Sequence, residues 1–287
     1  MNAKYTVSII ALVLVTSFSL SAAQSEFCVT IIDDVNDPIA LAQHGISPAS
    51  PESLAGLLDA IANSHHTVTF AYVVVREKAD RGVPVTIQIE PFSLTAPKRP
   101  DRNLPLAQLE TAMADYRSDQ LKFETAQRRF SEKTTREREA FIRAALDAQE
   151  MAESERDSLK SSKGFAASDI EGTILAAVGI ARTSGAGKAI LLLNSDLASN
   201  RNELFGLVQG RKTASRALTA DELPESLLTA IVCVNTSFKP DSSPFLKATK
   251  CEKLHAGNLA TATELLRGLL DKRSGTLPAA IASSNPN

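Results

Sequence analysis

The chain has 287 residues, a formal net charge of −2, and 44% hydrophobic residues. A balance this close to neutral argues against a nucleic-acid partner, because such partners normally require a basic excess. Aromatic residues make up only 5% of the chain and Trp is absent, so a carbohydrate-stacking surface is not expected either.

The amino terminus has the three parts of a secretory signal peptide. Lys4 supplies the positive start, an apolar run follows over 7–14, and small residues precede Gln24. Because signal peptidase accepts small side chains, we predict cleavage of residues 1–23 near Ala23 and a secreted or periplasmic protein. An uncleaved N-terminal membrane anchor is the alternative, although the run is short for a span of about 20 residues.

Residues 24–104 read as the first part of an α/β domain. Ser50 is the expected N-cap of its helix and Pro51 suits the first turn. A short glycine-containing link between the last two strands predicts an antiparallel hairpin at a sheet edge. The predicted elements are a buried strand over 28–32, a helix from Pro51, a strand over 67–75 and an alternating strand over 83–89.

Residues 105–163 form a segment of a different kind. Gly and Pro are absent between Pro105 and Gly164, and charges of both signs are interspersed. Apolar residues recur at intervals of three and four, and polar residues interrupt the same register. A single helix would be about 85 Å long. A helical hairpin bending near 131–135 is the compact alternative. A solvated charged arm and a dimerising or partner-docking coiled coil both fit the pattern.

Residues 164–272 return to the globular pattern, and 273–287 read as a disordered tail. Strands that alternate with helices, and apolar runs too continuous for a one-sided sheet, predict a doubly wound, mostly parallel α/β sheet. The predicted elements are helices over 170–183 and 260–270 and strands over 189–193, 229–234 and 251–255.

Several of these segments together resemble a von Willebrand factor A-type domain. They are the Ser168-Asp169-Ile170 turn leading into IEGTILAAVGIA, then AILLLNSDLAS, TAIVCVN, and the closing KLHAGNLATATELLRGLL. The resemblance is strongest over 165–271, weaker over 27–91, and does not extend to the helical insertion. It implies a vWA-like, Rossmann-like fold and a non-enzymatic function in protein–protein interaction.

The resemblance also implies a cation site. The family holds a divalent cation with an Asp-x-Ser-x-Ser loop after the first strand, a Thr in the second loop and an Asp in the third. By position the metal ligands would be Asp34, Asn36, Ser168 and Asp196. The second Ser of the motif falls on Pro38, which offers no side-chain oxygen. Oxygen ligands of this kind suit Mg²⁺ or Ca²⁺. The alternative is a degenerate domain whose acids only cap helices and loops.

Enzymatic readings have less support. No Ser, His and Asp occur in a nucleophile-elbow setting. A metal-dependent, phosphatase-like hydrolase could use Asp33 or Asp34, but Lys188 precedes its strand and so lies at the wrong end to neutralise phosphoryl charge. The glycine-rich run over 185–188 lacks the preceding strand and following helix of a phosphate loop, so no nucleotide is expected. A coiled-coil assembly protein, homo-oligomeric through the insertion, is a further alternative.

The chain has three cysteines. Export would place them in an oxidising compartment, where disulfides form. Cys233 and Cys251 fall on the last two strands, which are neighbours in the resembled fold, and this implies a disulfide between them. Two buried free thiols are the alternative.

Overall fold

The computed structural model describes residues 24–35, 41–42, 45–77, 83–163, 168–195, 224, 226–234 and 251–271. Within them the chain forms a mixed α/β structure. The strands are β1 (Phe27–Asp33), β2 (Val68–Val74), β3 (Val85–Ile89), β4 (Lys188–Asn194), β5 (Leu228–Val234) and β6 (Glu252–Ala256). The helices are α1 (Pro51–Ala62), α2 (Leu106–Lys163), α3 (Ile170–Thr183) and α4 (Leu259–Asp271).

The strands form one sheet in the order β3-β2-β1-β4-β5-β6. All neighbouring strands are parallel except β3, which runs antiparallel to β2. The predicted α/β architecture with a mostly parallel sheet is therefore confirmed, as is the antiparallel edge hairpin. The strand order reverses between β1 and β4, and in open α/β sheets ligands bind in the crevice at such a reversal.

Both faces of the sheet are covered, which explains why its central strands are largely apolar. In β1, Phe27, Val29 and Ile31 join the core beneath α1, α4 and part of α2. Cys28 and Ile32 join the core on the opposite face, beneath α3. Adjacent residues of a strand point to opposite faces, so a strand buried on both faces has no polar side.

Helix α1 begins as its sequence predicts. The hydroxyl of Ser50 accepts a hydrogen bond of 3.2 Å from the backbone N–H of Ser53, and Pro51 occupies the first turn. Leu54, Leu57 and their neighbours bury its apolar face. The cap satisfies one backbone donor that the helix itself cannot pair.

Helix α2 is a single helix of 58 residues, which decides between the two conformations that the sequence allowed. At 1.5 Å per residue it is about 87 Å long. Its buried side chains are Phe141, Ala145 and Ala152, and no side chain from 106 to 140 is buried. We call residues 106–137 the arm, because this part of the helix contributes nothing to the core.

The segment 90–105 accompanies the arm. The ring of Phe92 lies 5.6 Å from the ring of Phe123 and 5.2 Å from that of Phe130. If fully extended at about 3.3 Å per residue, these sixteen residues would reach as far as the 32 helical residues of the arm at about 1.5 Å each. The segment therefore has the length needed to run beside the arm to its tip, and we call it the strap.

The described cysteines are free thiols. The disulfide expected between Cys233 and Cys251 is wrong for this structure. The strand register pairs Cys233 with His255, four residues beyond Cys251. Four strand residues span about 13 Å, whereas a disulfide requires Cα atoms within about 7 Å.

Several predicted features lie outside the described residues: the signal peptide over 1–23, the candidate ligands Asn36 and Asp196, and the tail over 273–287. In the part of the chain that the structure describes, no helix combines the length and the hydropathy needed to cross a membrane.

Candidate functional site

The candidate site lies at the reversal of strand order, where β1 and β4 end side by side. Asp33 closes β1 and Asn194 closes β4, and the two residues are partners in the parallel register. The backbone N–H of Asp34 donates to the carbonyl of Asn194 at 3.0 Å, so the contact continues past the last strand residues. Polar side chains of both strands therefore reach the same edge.

The Asp33 carboxylate is fully buried and fully engaged. One oxygen accepts from the Ala49 backbone N–H at 2.9 Å and from the Tyr72 hydroxyl at 2.6 Å. The other accepts from the Asn194 side-chain amide at 2.6 Å. The same amide donates to the Ser47 carbonyl at 2.8 Å. Asp33 thus joins β1, β2, β4 and the loop before α1, which is a structural role.

Burial has the largest effect on the pKa of the Asp33 carboxyl group. Desolvation raises the pKa of Asp33 to about 6, against the lowering effect of hydrogen bonds from Tyr72, Ala49 and Asn194. The charge of Glu153 raises the pKa further. Burial also raises the pKa of the Tyr72 phenol, and the neighbouring carboxylate adds to this effect. Tyr72 is therefore a neutral donor to Asp33.

Asp34 is the second acid at this edge and has different surroundings. Its side chain is buried, and one of its oxygens accepts a hydrogen bond of 3.0 Å from the Ser195 hydroxyl. This bond joins the residue that follows β1 to the residue that follows β4. A carboxylate and a hydroxyl are thereby held together in the crevice between the two strands.

The turn before α3 approaches the same edge through β2. Ser168 and Asp169 are both buried. The Asp169 N–H donates to the Arg76 carbonyl at 2.9 Å, and the N–H of Val75 donates to the Asp33 carbonyl at 2.8 Å. Four segments therefore meet here: the ends of β1, β2 and β4 and the start of α3.

Asp169 has a defined local role. Its carboxylate accepts a hydrogen bond of 3.1 Å from the N–H of Gly172 and caps α3. Ser168, the predicted cation ligand of this turn, precedes that cap. This role of Asp169 is the one expected under the alternative hypothesis, in which the acids of this edge only cap helices and loops.

Helix α2 completes the site, and the sequence contained no signal for this. Arg156 donates a hydrogen bond of 2.6 Å to the Val35 carbonyl, one residue beyond Asp34. Arg76, at the end of β2, forms a 3.0 Å ion pair with Glu155. The C-terminal end of the insertion therefore contacts the loop after β1, which carries candidate ligands, and the end of β2.

A shallow groove adjoins Asn194 on the α1 and α4 side of the edge. Its volume is about 290 Å³, and it lies between the loop before α1 and the start of α4. Ser47, Ser53, Asn258 and Leu259 are among its lining residues. The groove offers hydroxyl and amide groups around a small apolar patch, a composition suited to a protein side chain.

Two of the four predicted cation ligands thus lie within the described residues. Asp34 and Ser168 are at the carboxyl edge of the sheet, while Asn36 and Asp196 fall outside the described residues. Among the residues that the structure describes, no group of three or more His, Cys, Asp or Glu side chains is arranged to hold a metal. The cation site therefore stays a prediction.

Comparison with known proteins adds no family assignment, since neither a protein-family model nor a curated protein matches this chain. The case for function therefore rests on the geometry of the sheet edge.

Proposed function

We propose that the protein is an exported, non-enzymatic binding module of the von Willebrand factor A type. Its partner would be a protein that docks on the carboxyl edge of the sheet. A divalent cation, Mg²⁺ or Ca²⁺, would lie at this edge with Asp34, Asn36, Ser168 and Asp196 as ligands. Secretion or export to a periplasm follows from the signal-like amino terminus.

The observation that carries the proposal is the contact between Asp34 and Ser195. It places a buried carboxylate and a hydroxyl 3.0 Å apart in the crevice where the strand order reverses. Asn36 follows two residues after Asp34, and Asp196 follows Ser195 directly. In sequence, Asn36 and Asp196 therefore follow closely on the ends of two adjacent strands. Hard oxygen donors concentrated in this way suit a divalent cation.

The surroundings of the two aspartates favour Asp34 over Asp33 as the ligand. Asp33 already accepts three hydrogen bonds and is fully buried. Binding a cation would require it to give up donors that would then stay buried without partners. Each such loss costs about 1–3 kcal/mol.

The hydrolase alternative is weaker for the same reason. Asp33 cannot reach a substrate as a nucleophile while it is enclosed in this way. Lys188 opens β4 whereas Asn194 closes it, so the lysine lies at the opposite end of the strand, as the sequence predicts. Arg76 and Arg156 lie closer, but Arg76 is paired with Glu155 and Arg156 bonds to the Val35 carbonyl.

The cation is tested by thermal unfolding of the purified protein in Ca²⁺, Mg²⁺ or Mn²⁺ and in EDTA. We expect a higher melting temperature with at least one cation, and loss of that increase in Asp34→Asn. Asp115→Asn, an exposed change on the arm, is the matched control and should keep the increase. A wild-type melting temperature that is the same in EDTA and in all three cations refutes the cation-bridged version.

The docking surface is tested separately. Immobilised protein is exposed to the extracellular fraction, and the retained proteins are compared between wild type and Ala260→Arg. Ala260 is exposed on the rim of the groove beside Asn194. We expect a retained partner that this variant loses and that the control Ala107→Arg, on the arm, keeps. Equal retention by both variants would show that the partner docks elsewhere.

A further inference from the structure

Strand β3 forms one edge of the sheet. Within the described residues its strand partner is β2, and the register between the two is uninterrupted over five residue pairs. Edge strands usually carry a device that prevents pairing with another chain, such as a lysine, a proline or a bulge. β3, with the sequence VTIQI, has none of the three within its five residues, and Pro84 and Pro91 lie just outside them.

An open groove runs along this edge. It has a volume of about 540 Å³ and lies between residues 85–90 and the part of α2 from Phe130 to Ala144. Val85, Ile87 and Ile89 contribute to the core on this side of the sheet, whereas Thr86 and Gln88 are exposed on the other. The groove therefore presents an apolar floor beside an edge able to accept a further strand.

We propose that a second copy of this chain occupies the edge, with the two β3 strands antiparallel about a two-fold axis at Ile87. In this register Val85 lies opposite Ile89 of the other copy, and Thr86 lies opposite Gln88. Apolar residues then meet apolar residues on the face that carries α2, and polar residues meet polar ones on the other. Cross-strand pairs of this kind stabilise antiparallel sheets.

Val83 supports the same register. It is the most exposed large apolar side chain of the described residues, with 82% of its surface accessible. Continuing the pairing outward places Val83 opposite Pro91 of the second copy. In the dimer, Val83 of each chain would thus contact an apolar residue of the other chain. This contact would bury apolar surface that is otherwise exposed to water.

The charges on the rim of the groove are also self-complementary. Lys133 and Glu137 form an exposed ion pair of 3.7 Å, four residues apart on α2. A two-fold axis reverses the order of these charges in the second copy. In the proposed dimer the axis would pass between these two positions, so that Lys133 of one chain would face Glu137 of the other. Such an arrangement favours an identical partner over an arbitrary one.

The arm itself is less suited to pairing two copies. The sequence predicts its apolar seam as an oligomerisation surface, but Phe123 and Phe130 of that seam contact Phe92 of the strap in the same chain. Within the described residues no further strand pairs with the outer edge of β3, and the proposed dimer is independent of the cation site.

The test measures the association of the full chain by sedimentation velocity across micromolar concentrations. We expect a wild-type dimer and at least tenfold weaker association for Thr86→Lys, because lysine at an edge opposes strand pairing. The matched control, Thr86→Val, should associate as the wild type does. Far-ultraviolet circular dichroism and thermal unfolding verify that both variants are folded.

A charge exchange tests the register. Lys133→Glu and Glu137→Lys alone should each weaken association, since each opposes like charges across the axis, and the double exchange should restore it. A wild-type chain that stays monomeric at about 100 µM overturns the proposal. The edge of β3 would then be a site for an extended peptide of another protein. A dimer that is unaffected by Thr86→Lys and by both single exchanges also overturns it.

Discussion

Arg156 of α2 donates a hydrogen bond to the carbonyl of Val35, across 121 positions of sequence. The insertion is therefore part of the candidate site, because its last turns hold the loop that follows β1. Only 11% of the Arg156 side chain is accessible, so this contact is shielded from water. Removing the guanidinium would leave the Val35 carbonyl without this donor.

We expect Arg156→Ala to lower the free energy of unfolding by about 1–3 kcal/mol, through the lost hydrogen bond and the lost packing of the side chain. Urea unfolding monitored by circular dichroism measures the change. Arg143→Ala is the control, because Arg143 is exposed on the same helix and should change stability by less than about 0.5 kcal/mol. Equal effects of the two substitutions would contradict a special role for Arg156.

Asp33 should make the protein less stable as the pH rises from about 4 to about 6. Burial raises its pKa from 3.8 to about 6, so the folded state binds a proton that the unfolded state has released over this interval. Below it, both states are protonated and Asp33 imposes no cost. Above it, the buried carboxylate costs about 3 kcal/mol, at 1.36 kcal/mol for each pKa unit.

Asp33→Asn isolates this effect from the other carboxyl groups. The difference in unfolding free energy, wild type minus variant, should be largest near pH 4 and should fall by about 3 kcal/mol on going to pH 7. Urea unfolding at four pH values measures it. A difference that is constant with pH would show that Asp33 has the same pKa in the folded and unfolded states.

Tyr72→Phe removes one donor to the Asp33 carboxylate and keeps the ring. We expect a loss of about 1.5–3 kcal/mol at pH 7, the usual range for a hydrogen bond to a charged group. The loss should become smaller at pH 4, where Asp33 is protonated. Thermal and urea unfolding at both pH values provide the measurement, and a loss that grows toward pH 4 would be inconsistent with this geometry.

The thiols should differ in reactivity. Cys28 and Cys233 are buried, and burial raises the pKa of Cys233 to about 12, so neither forms the reactive thiolate near pH 8. Cys251 is partly accessible. A thiol-specific disulfide reagent should therefore modify one cysteine of the native protein and three in denaturant. Only one reactive thiol in denaturant, without reductant, would indicate a disulfide after all.

Phe92→Ala should release the strap from the arm. We expect faster tryptic cleavage after Lys98 and Arg102, because the ring contacts with Phe123 and Phe130 would be lost. Leu94→Ala is the control, since Leu94 is 54% exposed and should leave the cleavage rate unchanged. Mass spectrometry of timed digests gives the rates, and identical rates for both variants would contradict a role for Phe92.

Much of the fold could be predicted because its central strands are largely apolar, its edge strand β3 alternates, and its turns carry clear signals. The cap at Ser50 and the hairpin before β3 depend on neighbouring residues only, so the chain displays them directly. That α2 is one continuous helix could not be predicted. Polar residues interrupt its apolar positions, and such a pattern fits both a straight helix and a hairpin. Packing of Phe141 and Ala145 on the sheet accounts for its inner half.

The candidate site was less predictable, because it depends on contacts between distant segments. Asp33 and Asp34 are adjacent in sequence, yet one is enclosed by three donors and the other contacts Ser195. No periodic pattern distinguishes them at the end of a strand. Tyr72 did carry a signal, since a hydroxyl in an otherwise apolar strand generally has a buried partner.

The strap and the arm begin and end beside the same groove. Glu90 begins the strap and Glu137 ends the arm, and both line the groove beside β3. The polypeptide thus departs from the sheet and returns to it at neighbouring points. The intervening 46 residues contain none of the described strands, so the strap and the arm can be shortened or lengthened together without altering any strand pairing.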